Sequence, residues 1–477
     1  MYDVALKALK SDLSDVECAA LTGDGWTSRA TDHFLTITVH YIKDWQLNVK
    51  VLQTLKADVA QTGENIGIEI EDCLKEFGLT DKVEVMTTDN AKSMVNATQK
   101  AGVRLSMGCF AHTLNLSTQK VMAVESVSAM ISMIRPAITY FRSSYMGKIV
   151  LKEKQTALHL PEHRLLLDCK TRWNSTYLML ERFQTQYPAI VAASMDERLK
   201  NKEGFKKLQK CDSDTVEKIQ TFLRVMKIPY LITVAMSAEK RPTCGQVLPM
   251  MDKLRKHLSP DEEADDAFAC DIKAVILSDL ETRYQDTDRV EFLEEASAMD
   301  PRFKGMATDE VWERVVTAID SRQEVHVKKE PNDVTFTPTA TAASAATQLE
   351  TKTQNEEVPA KLAKLSAMEE IFVDDDDDVE VLHVEPPLPV RVRAQQEVHT
   401  YKNLPKLRST DDIVAFWKER SLSLPLLSGL AKRYLVVPGT SVPSERVFST
   451  AGDLVSAERA CLDPDNVNVL LFLNKNT

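Results

Sequence analysis

The chain has 477 residues, of which 43% are hydrophobic, and this size predicts two or three globular units. No apolar run reaches the roughly 18 residues of a membrane span, and the start of the chain lacks the basic region and apolar stretch of a signal peptide, so neither feature is expected. The net charge of −12 is concentrated in residues 323–385, which carry 15 acidic and 5 basic side chains, so the remainder is nearly neutral and can carry basic patches.

Residues 16–54 predict three β-strands. Cys18–Thr22 is an apolar run that leads into Asp24. His33–Ile42 and Trp45–Leu52 alternate apolar and polar residues, which is typical of half-buried strands. The short link between these two runs predicts an antiparallel hairpin, although it lacks the glycine of the best two-residue turns.

A helix and a fourth strand follow these three strands. Residues 64–77 have the apolar spacing of an amphipathic helix, and Val83–Thr88 is predicted to be a strand that ends at Asp89. Three strands, a helix and a strand are the element order of an RNase H-like α/β core. Because Asp24 and Asp89 follow the first and last of these strands, pairing of the two strands would make the acids neighbours.

The rest of the chain is predicted to be mostly helical, with one interruption. Residues 109–320 have helical apolar spacing and few glycines. Residues 323–385 are rich in Thr, Ala and Ser, contain five consecutive aspartates, and are predicted to be a disordered linker. Three further helices are predicted after residue 411, and Glu445 lies near the start of the second, at about 443–452.

Three acidic residues lie in distinctive sequence contexts. These are Asp24 in Thr22–Ser28, Asp89 in Thr87–Ala91 and Glu445 in Ser441–Gly452. Carboxylates brought together at the end of a sheet are the ligands with which proteins hold two Mg²⁺ or Mn²⁺ ions for cutting or joining a phosphodiester. The structural alternative is that each aspartate caps a turn or helix and that the glutamate complements a helix dipole.

The chain resembles hAT-superfamily transposases, in the branch related to BED-zinc-finger proteins. The resemblance rests on six stretches in family order: Thr22–Ser28, Thr87–Ala91, Gly108–Leu116, Thr171–Tyr177, Met299–Lys304 and Asp411–Asn476. It implies an RNase H-like core interrupted by a large all-α insertion, with a helical C-terminal dimerisation region. The implied domains are a first core part at 14–185, an all-helical insertion at 186–322, an acidic disordered linker at 323–400 and a dimerisation region with the last core helix at 405–477.

The resemblance implies that Asp24, Asp89 and Glu445 are the catalytic metal ligands. It further implies a nuclear protein whose ancestral activity is metal-dependent DNA strand cleavage and transfer. The alternative is a domesticated, non-catalytic transcriptional regulator or scaffold that kept the fold. Relatives begin with a BED zinc finger, whereas this sequence starts just upstream of the first strand, so the expectation is that the DNA-targeting module is absent or supplied elsewhere.

The resemblance also implies DNA contacts by His112, Arg172 and Trp173, near a base that is flipped out. An indole can stack on an unpaired base, and an arginine can pair with a phosphate. The alternative for Trp173 is a core aromatic beside a helix start. Cys109 and His112 can share one face of a helix, but no second pair lies nearby, which disfavours a zinc site.

The C-terminal block predicts an apolar face for a partner, and the resemblance implies a homodimer or a higher oligomer. The predicted dimerisation residues are Phe416, Trp417, Leu430, Tyr434, Leu470 and Leu473. The alternative is that part of this apolar surface covers the chain's own sheet, since Glu445 has to reach the two aspartates.

The acidic segment contains two short patterns that point to SUMO. Val327–Glu330 has the hydrophobic-Lys-x-Glu form of a SUMO acceptor, with Lys328 as the acceptor. Val379–Leu382 follows five aspartates and resembles a SUMO-interacting strand that adds to a sheet edge. Both predict SUMO or SUMO-modified proteins as partners, and the alternative is a solvated charged linker.

Overall fold

A computed structural model describes residues 1–28, 31–56, 60–169, 171–199, 203–206, 208–238, 240–329, 388–447 and 463–477. These residues form a mixed α/β structure with one five-stranded sheet. The strands are Ala19–Thr27 (β1), His33–Lys43 (β2), Gln46–Lys56 (β3), Val83–Thr88 (β4) and Leu105–Gly108 (β5).

The helices lie mainly after the sheet. They are Tyr2–Ser14 (α1), Gly63–Glu76 (α2), Lys92–Lys100 (α3), Phe110–Val121 (α4), Glu125–Ser143 (α5), Tyr145–Ala157 (α6), Trp173–Ser194 (α7), Glu203–Lys206 (α8), Ser213–Met236 (α9), Val247–Leu258 (α10), Ala267–Arg283 (α11), Thr287–Ala298 (α12), Asp309–Lys329 (α13), Val390–Asn403 (α14), Ile413–Arg420 (α15), Pro425–Leu435 (α16) and Pro464–Asn476 (α17). The predicted helical character of 109–320 is confirmed in the described part of that range.

The sheet is mixed, and β1 lies at its centre. The strand order is β3-β2-β1-β4-β5, with β2 antiparallel to β1 and β3, while β4 and β5 run parallel to β1. The four predicted strands, β1 to β4, are confirmed, of which β2 and β3 were predicted from apolar alternation. Asp44 and Trp45 form the hairpin turn with φ values of 50° and 57°, so the turn adopts the left-handed conformation without a glycine.

Helices cover both faces of the sheet because successive strand residues point to opposite sides. Leu21 and Met86 pack with α1, α2 and α3, whereas Ala20 and Val85 face the larger helical core. Within the described residues, α9 has the length and composition to cross a membrane, and the bent pair α4–α5 would pass the same test as a unit. Phe222 of α9 is fully buried in the helical core.

The C-terminal helices α14 and α15 contact Met299–Lys304, which directly follows α12. The Trp417 indole N–H donates to the Met299 carbonyl at 3.1 Å. The Lys304 ammonium is buried and donates to the Leu404 carbonyl, just past the end of α14. One of the six family-like stretches therefore has a structural role, because it holds the C-terminal region against the helical core.

After α16 the chain crosses the sheet towards β1. The Thr87 hydroxyl of β4 donates to the Pro438 carbonyl at 2.8 Å. The Phe110 N–H donates to the Gly439 carbonyl at 3.0 Å. At the outer edge, α17 packs on β3, and the Asn468 amide oxygen accepts a backbone N–H of β3 at 2.8 Å. This helix therefore satisfies part of a strand edge that would otherwise be open.

The predicted linker, 323–400, is too long at both ends. Helix α13 continues to Lys329, and α14 occupies 390–403. Ala394, Val398 and Tyr401 form a buried stripe at helical spacing, which charged neighbours obscure in the sequence. Residues 330–387, including the Val379–Leu382 pattern, lie outside the described residues, as does the side chain of Lys328, so both SUMO patterns stay predictions.

Candidate active site

Two of the three acidic residues lie at the same end of two adjacent parallel strands. Asp24 lies in β1, and Asp89 directly follows β4. In the parallel pairing of these strands, Gly23 lies opposite Thr88, so the two aspartates come next at the same end of the sheet. Neighbouring strands are about 4.8 Å apart. Both aspartate side chains are partly exposed to solvent.

The third acidic residue, Glu445, lies in a helical segment at 442–447, called here the Glu445 helix. The Ser441 N–H, at the start of this helix, donates to the Cys109 Sγ at 3.3 Å. Because Cys109 directly follows β5, this bond joins the C-terminal region to the same end of the sheet. The Glu445 side chain is partly exposed.

A buried polar network fastens the Glu445 helix to the sheet. The hydroxyls of Ser444 and Thr22 of β1 are hydrogen bonded at 2.6 Å, and Thr22 also contacts the Thr38 hydroxyl of β2. The His40 Nε2 lies 3.4 Å from the Thr22 hydroxyl. Burial lowers the pKa of His40 to about 3, so the imidazole is neutral at physiological pH. Sequence analysis missed this network, although polar residues at inward-facing strand positions are a signal for it.

The three carboxylates interact electrostatically. Partial burial raises the pKa of Asp24 to about 8, with further contributions from the negative charges of Glu445 and Asp89, while a hydrogen bond from the Gly25 backbone acts in the opposite direction. A carboxyl group near neutral pKa in such a cluster would be ionised by a nearby cation. The Asp89 Oδ1 also accepts the Ala91 N–H at 3.2 Å, which closes the turn just before α3.

The fit of these residues to a divalent cation is mixed. Carboxylate oxygens are the ligands that Mg²⁺ and Mn²⁺ prefer. The pKa of Asp24 is raised first by burial and then by the negative charges of Glu445 and Asp89, which a cation would neutralise. Among the described residues, however, no three His, Cys, Asp or Glu side chains are grouped closely enough to hold an ion as they stand. The charges of the cluster fit a metal, whereas its side chains would have to rotate to bind one.

His112 and Arg172 lie on two elements that contact each other. His112 is in the first turn of α4, and its backbone N–H donates to the Cys109 Sγ at 3.3 Å. Arg172 precedes α7 and is exposed. The Gln119 side chain of α4 donates to the Thr171 carbonyl, which ties the two elements together. Both side chains reach solvent, as a contact with DNA requires.

Trp173 is a core residue. Its side chain is 1% exposed and packs in the large helical core, so in this conformation it cannot stack on a base. The alternative of a core aromatic at a helix start is therefore the one that the structure supports. The buried Trp173 indole N–H has no hydrogen-bond partner within the described residues. Apolar character alone could not separate the two roles in the sequence.

Four of the six predicted dimerisation residues are buried within the chain itself. Phe416, Trp417, Leu430 and Tyr434 are each at most 5% exposed, so in this structure they pack inside the chain and do not form an exposed face. Their role in dimerisation stays a prediction. They fill the core between α14–α16 and α12, and the Tyr434 hydroxyl donates to Glu295 at 2.8 Å. Leu470 is 39% exposed and Leu473 is half-buried, so these two remain accessible on α17.

Three family models match the chain in order. The ZBED1 RNase-like domain matches residues 22–113, the ZBED1 RNase-like helical domain matches 107–222, and the hAT family C-terminal dimerisation region matches 397–477. The chain therefore carries a hAT-type C-terminal dimerisation region together with both ZBED1 RNase-like domains. The dimerisation region supports self-association of this chain.

Curated relatives align with almost the whole length of the chain. Zinc finger BED domain-containing protein 4 of Homo sapiens is 26% identical over 100% of the chain and 39% of its own length. RICESLEEPER 3, a zinc finger BED domain-containing protein of Oryza sativa, is 22% identical over 94% of the chain and 60% of its own length. A candidate AC transposase of Zea mays is 22% identical over 99% of the chain and 58% of its own length. The chain thus spans two to three fifths of the length of these relatives.

Proposed function

We propose that this chain is a nuclear, self-associating DNA-binding protein with a transposase-type active site. Its core is RNase H-like, which the strand order β3-β2-β1-β4-β5 and the positions of Asp24 and Asp89 support. The observation that carries the proposal is the placement of Asp24, Asp89 and Glu445 at one end of the sheet, although they come from three distant parts of the sequence. Nothing in the stability of the fold requires three like charges at one end of a sheet.

Asp24, Asp89 and Glu445 would hold Mg²⁺ or Mn²⁺. Such an ion supplies charge neutralisation at a phosphodiester and a hydroxide equivalent at neutral pH. Asp24 has to lose its proton before it can act as a ligand, so the site becomes competent as the pH rises towards about 8. The network of Ser444 with Thr22 holds the Glu445 helix against β1, the strand that carries Asp24.

Mn²⁺-dependent nicking of a hairpin-prone or pre-nicked DNA tests the proposal. The purified chain is expected to nick this DNA, and Asp24→Asn and Glu445→Gln are expected to lose more activity than the roughly 10–100-fold that outer-shell changes cost at metal sites. Glu419→Gln is the matched control, because Glu419 is an exposed helical glutamate with 74% side-chain exposure. Nicking that survives in both active-site variants would contradict the assignment.

A non-catalytic regulator that kept the fold is the second candidate. It is favoured by one observation: the described carboxylates do not form a ready metal cluster. In that case the wild-type chain would not nick DNA in Mn²⁺, while DNA binding and self-association would persist. The nicking experiment therefore separates the two candidates directly.

We also propose that the exposed side of α17 contributes to self-association. Leu470 is 39% exposed, whereas Leu471 and Phe472 are fully buried against the sheet, so the helix presents an apolar residue opposite its packed face. Leu470→Glu is expected to weaken the dimer about tenfold or more in sedimentation velocity, since it places a charge in an apolar contact. Leu422→Glu is the control, because Leu422 is 95% exposed on a turn. An unchanged dimer would exclude this side of α17.

A further inference from the structure

A cavity of about 170 Å³ lies beside the end of β5 and is called here the β5 pocket. Its lining includes Asn90, the residue that follows Asp89 in the sequence. It is enclosed by the β4–α3 connection, the end of β5, α4 and the connection between α11 and α12. Its polar lining is Asn90, Thr113, Arg283, Tyr284, Asp286 and Arg289, and its apolar lining includes Met107, Val290 and Leu293. None of these residues belongs to the carboxylate cluster.

Asn90 connects the β5 pocket to the carboxylate cluster, because it directly follows Asp89. Its Nδ2 donates to the Thr113 hydroxyl of α4 at 2.8 Å. Gly108, the last residue of β5, leaves room for this side chain, since a Cβ at Gly108 would lie 2.3 Å from the Asn90 Oδ1. The Asn90 carboxamide is therefore held in one orientation between the strand end and α4.

The pocket has one arginine that is held in place and one that is weakly paired. Arg283 donates to the Asp279 carboxylate at 2.6 Å, and Asp279 also accepts from the Ser117 hydroxyl at 2.6 Å. The Arg289 Nε lies 3.6 Å from the Asp286 Oδ2, which is a long ion pair, and the Arg289 side chain is 28% exposed. The lining holds two arginines and one aspartate, and Asp279 pairs with Arg283 from outside the lining, so Arg289 is the arginine available to a ligand.

These features suit a phosphate rather than a cation or a neutral ligand. A planar guanidinium group binds phosphate oxygens through paired N–H donors. This role falls to Arg289, because the Nε and Nη2 donors of Arg283 are taken by Asp279, and the Asn90 side chain borders the same space. The apolar wall suits the face of a sugar. The β5 pocket lies one strand beyond Asp89, and strands are about 4.8 Å apart, so a nucleotide unit next to the one at the carboxylates can reach it.

We propose that the β5 pocket binds a phosphate-deoxyribose unit of the DNA strand next to the position that reacts, with Arg289 as the main phosphate ligand. This inference rests on the proposed function, because it assumes that the strand passes the carboxylate cluster. It assigns to Arg289 and Asn90 the placement of the strand, while Asp24, Asp89 and Glu445 act on the reacting phosphate.

Fluorescence anisotropy with a labelled hairpin DNA in EDTA tests the β5 pocket without requiring catalysis. Arg289→Gln is expected to weaken binding roughly five- to tenfold and to reduce the slope of log K against log salt by about 0.7–0.9, as the loss of one phosphate contact does. Arg289→Lys keeps the charge but loses the paired donors, so its DNA affinity is expected to lie between those of the wild type and Arg289→Gln. Circular dichroism of each variant verifies that the fold is intact.

Arg255→Gln is the matched control for this experiment. Arg255 also pairs with an aspartate three residues away, at 3.1 Å, and is 43% exposed, but it lies on α10 outside the pocket lining. Equal DNA binding by the wild type and Arg289→Gln would overturn the pocket assignment and leave the proposed function standing. If the wild type bound no DNA, the proposed function itself would fail.

Free phosphate is the second source of the same ligand chemistry, and an added arm of the experiment distinguishes it. Inorganic phosphate is titrated while thermal unfolding is followed. A rise in Tm that depends on Arg289, with DNA binding unaffected by Arg289→Gln, would assign the pocket to a free phosphate and overturn the DNA assignment. Weakened DNA binding together with little effect of millimolar phosphate on Tm supports a strand phosphate.

Discussion

Trp417→Ala is expected to destabilise the chain by roughly 3–5 kcal/mol, the range for deletion of a large buried aromatic side chain. Trp417 is 0% exposed and stacks at a tilt on Tyr401, with ring centroids 4.9 Å apart. The substitution also leaves the Met299 carbonyl without its 3.1 Å hydrogen bond. Chemical denaturation followed by circular dichroism and tryptophan fluorescence measures the loss.

The control for this substitution is Leu422→Ala, which removes a side chain that is 95% exposed and is expected to change stability by less than about 0.5 kcal/mol. A loss below about 1 kcal/mol for Trp417→Ala, accompanied by dissociation of the dimer, would mean that Trp417 packs against a partner in solution. The two outcomes therefore decide between the intramolecular core seen in the structure and the partner-binding face predicted from the sequence.

This prediction also bears on the active site. The C-terminal region holds the Glu445 helix through α16 and the crossing segment, and Met299–Lys304 holds that region in turn. A local loss of docking around Trp417 would thus loosen the only one of the three acidic residues that is not on a sheet strand or directly after one. Reduced metal-dependent activity is expected to accompany the loss of stability.

The sheet could be predicted from the sequence because its long strands alternate apolar and polar residues. His33–Ile42 and Trp45–Leu52 are long enough for that period to be unambiguous. The four-residue β5, Leu105–Gly108, is too short to show a period, although it completes the sheet next to Asp89. Apolar spacing likewise indicated helices over 109–320, but not which of their faces pack together.

Prediction of the candidate site residues depended on two kinds of information, the strand pattern and the family resemblance. The pattern alone placed Asp24 and Asp89 beside predicted strands, although β1 continues past Asp24 to Thr27. The role of Glu445, which lies more than 350 residues further along, entered through the family resemblance. Trp173 and Trp417 show the limit of such reasoning, because an aromatic residue in a motif has the same sequence signature in a core and on a binding surface. Arg289 had no sequence signal, since its pocket is formed by distant segments.

Asp24→Asn is expected to remove both a pH-dependent destabilisation and a metal response. The folded pKa of Asp24 is about 8, above the usual value of 3.8 for an aspartate, so the folded chain retains this proton more strongly than the unfolded chain. The contribution of Asp24 to stability is therefore fully present below about pH 4 and is lost as the pH rises towards 8. In the absence of metal, Asp24→Asn should stabilise the chain at pH 8 by roughly 1–2 kcal/mol after allowance for solvent screening.

In the presence of Mn²⁺, the wild type should be more stable at pH 8 than Asp24→Asn. An ion that binds the folded chain stabilises it by about 2.7 kcal/mol at a concentration 100 times its Kd, and its affinity should rise with pH as Asp24 loses its proton. Thermal unfolding of the wild type, Asp24→Asn and the control Asp72→Asn, at pH 6 and pH 8 with and without Mn²⁺, measures both effects. Asp72 is a suitable control because it is 69% exposed on α2. An equal Mn²⁺ shift in Asp24→Asn and wild type would show that the ion binds elsewhere, and the three carboxylates would then have no role in holding it.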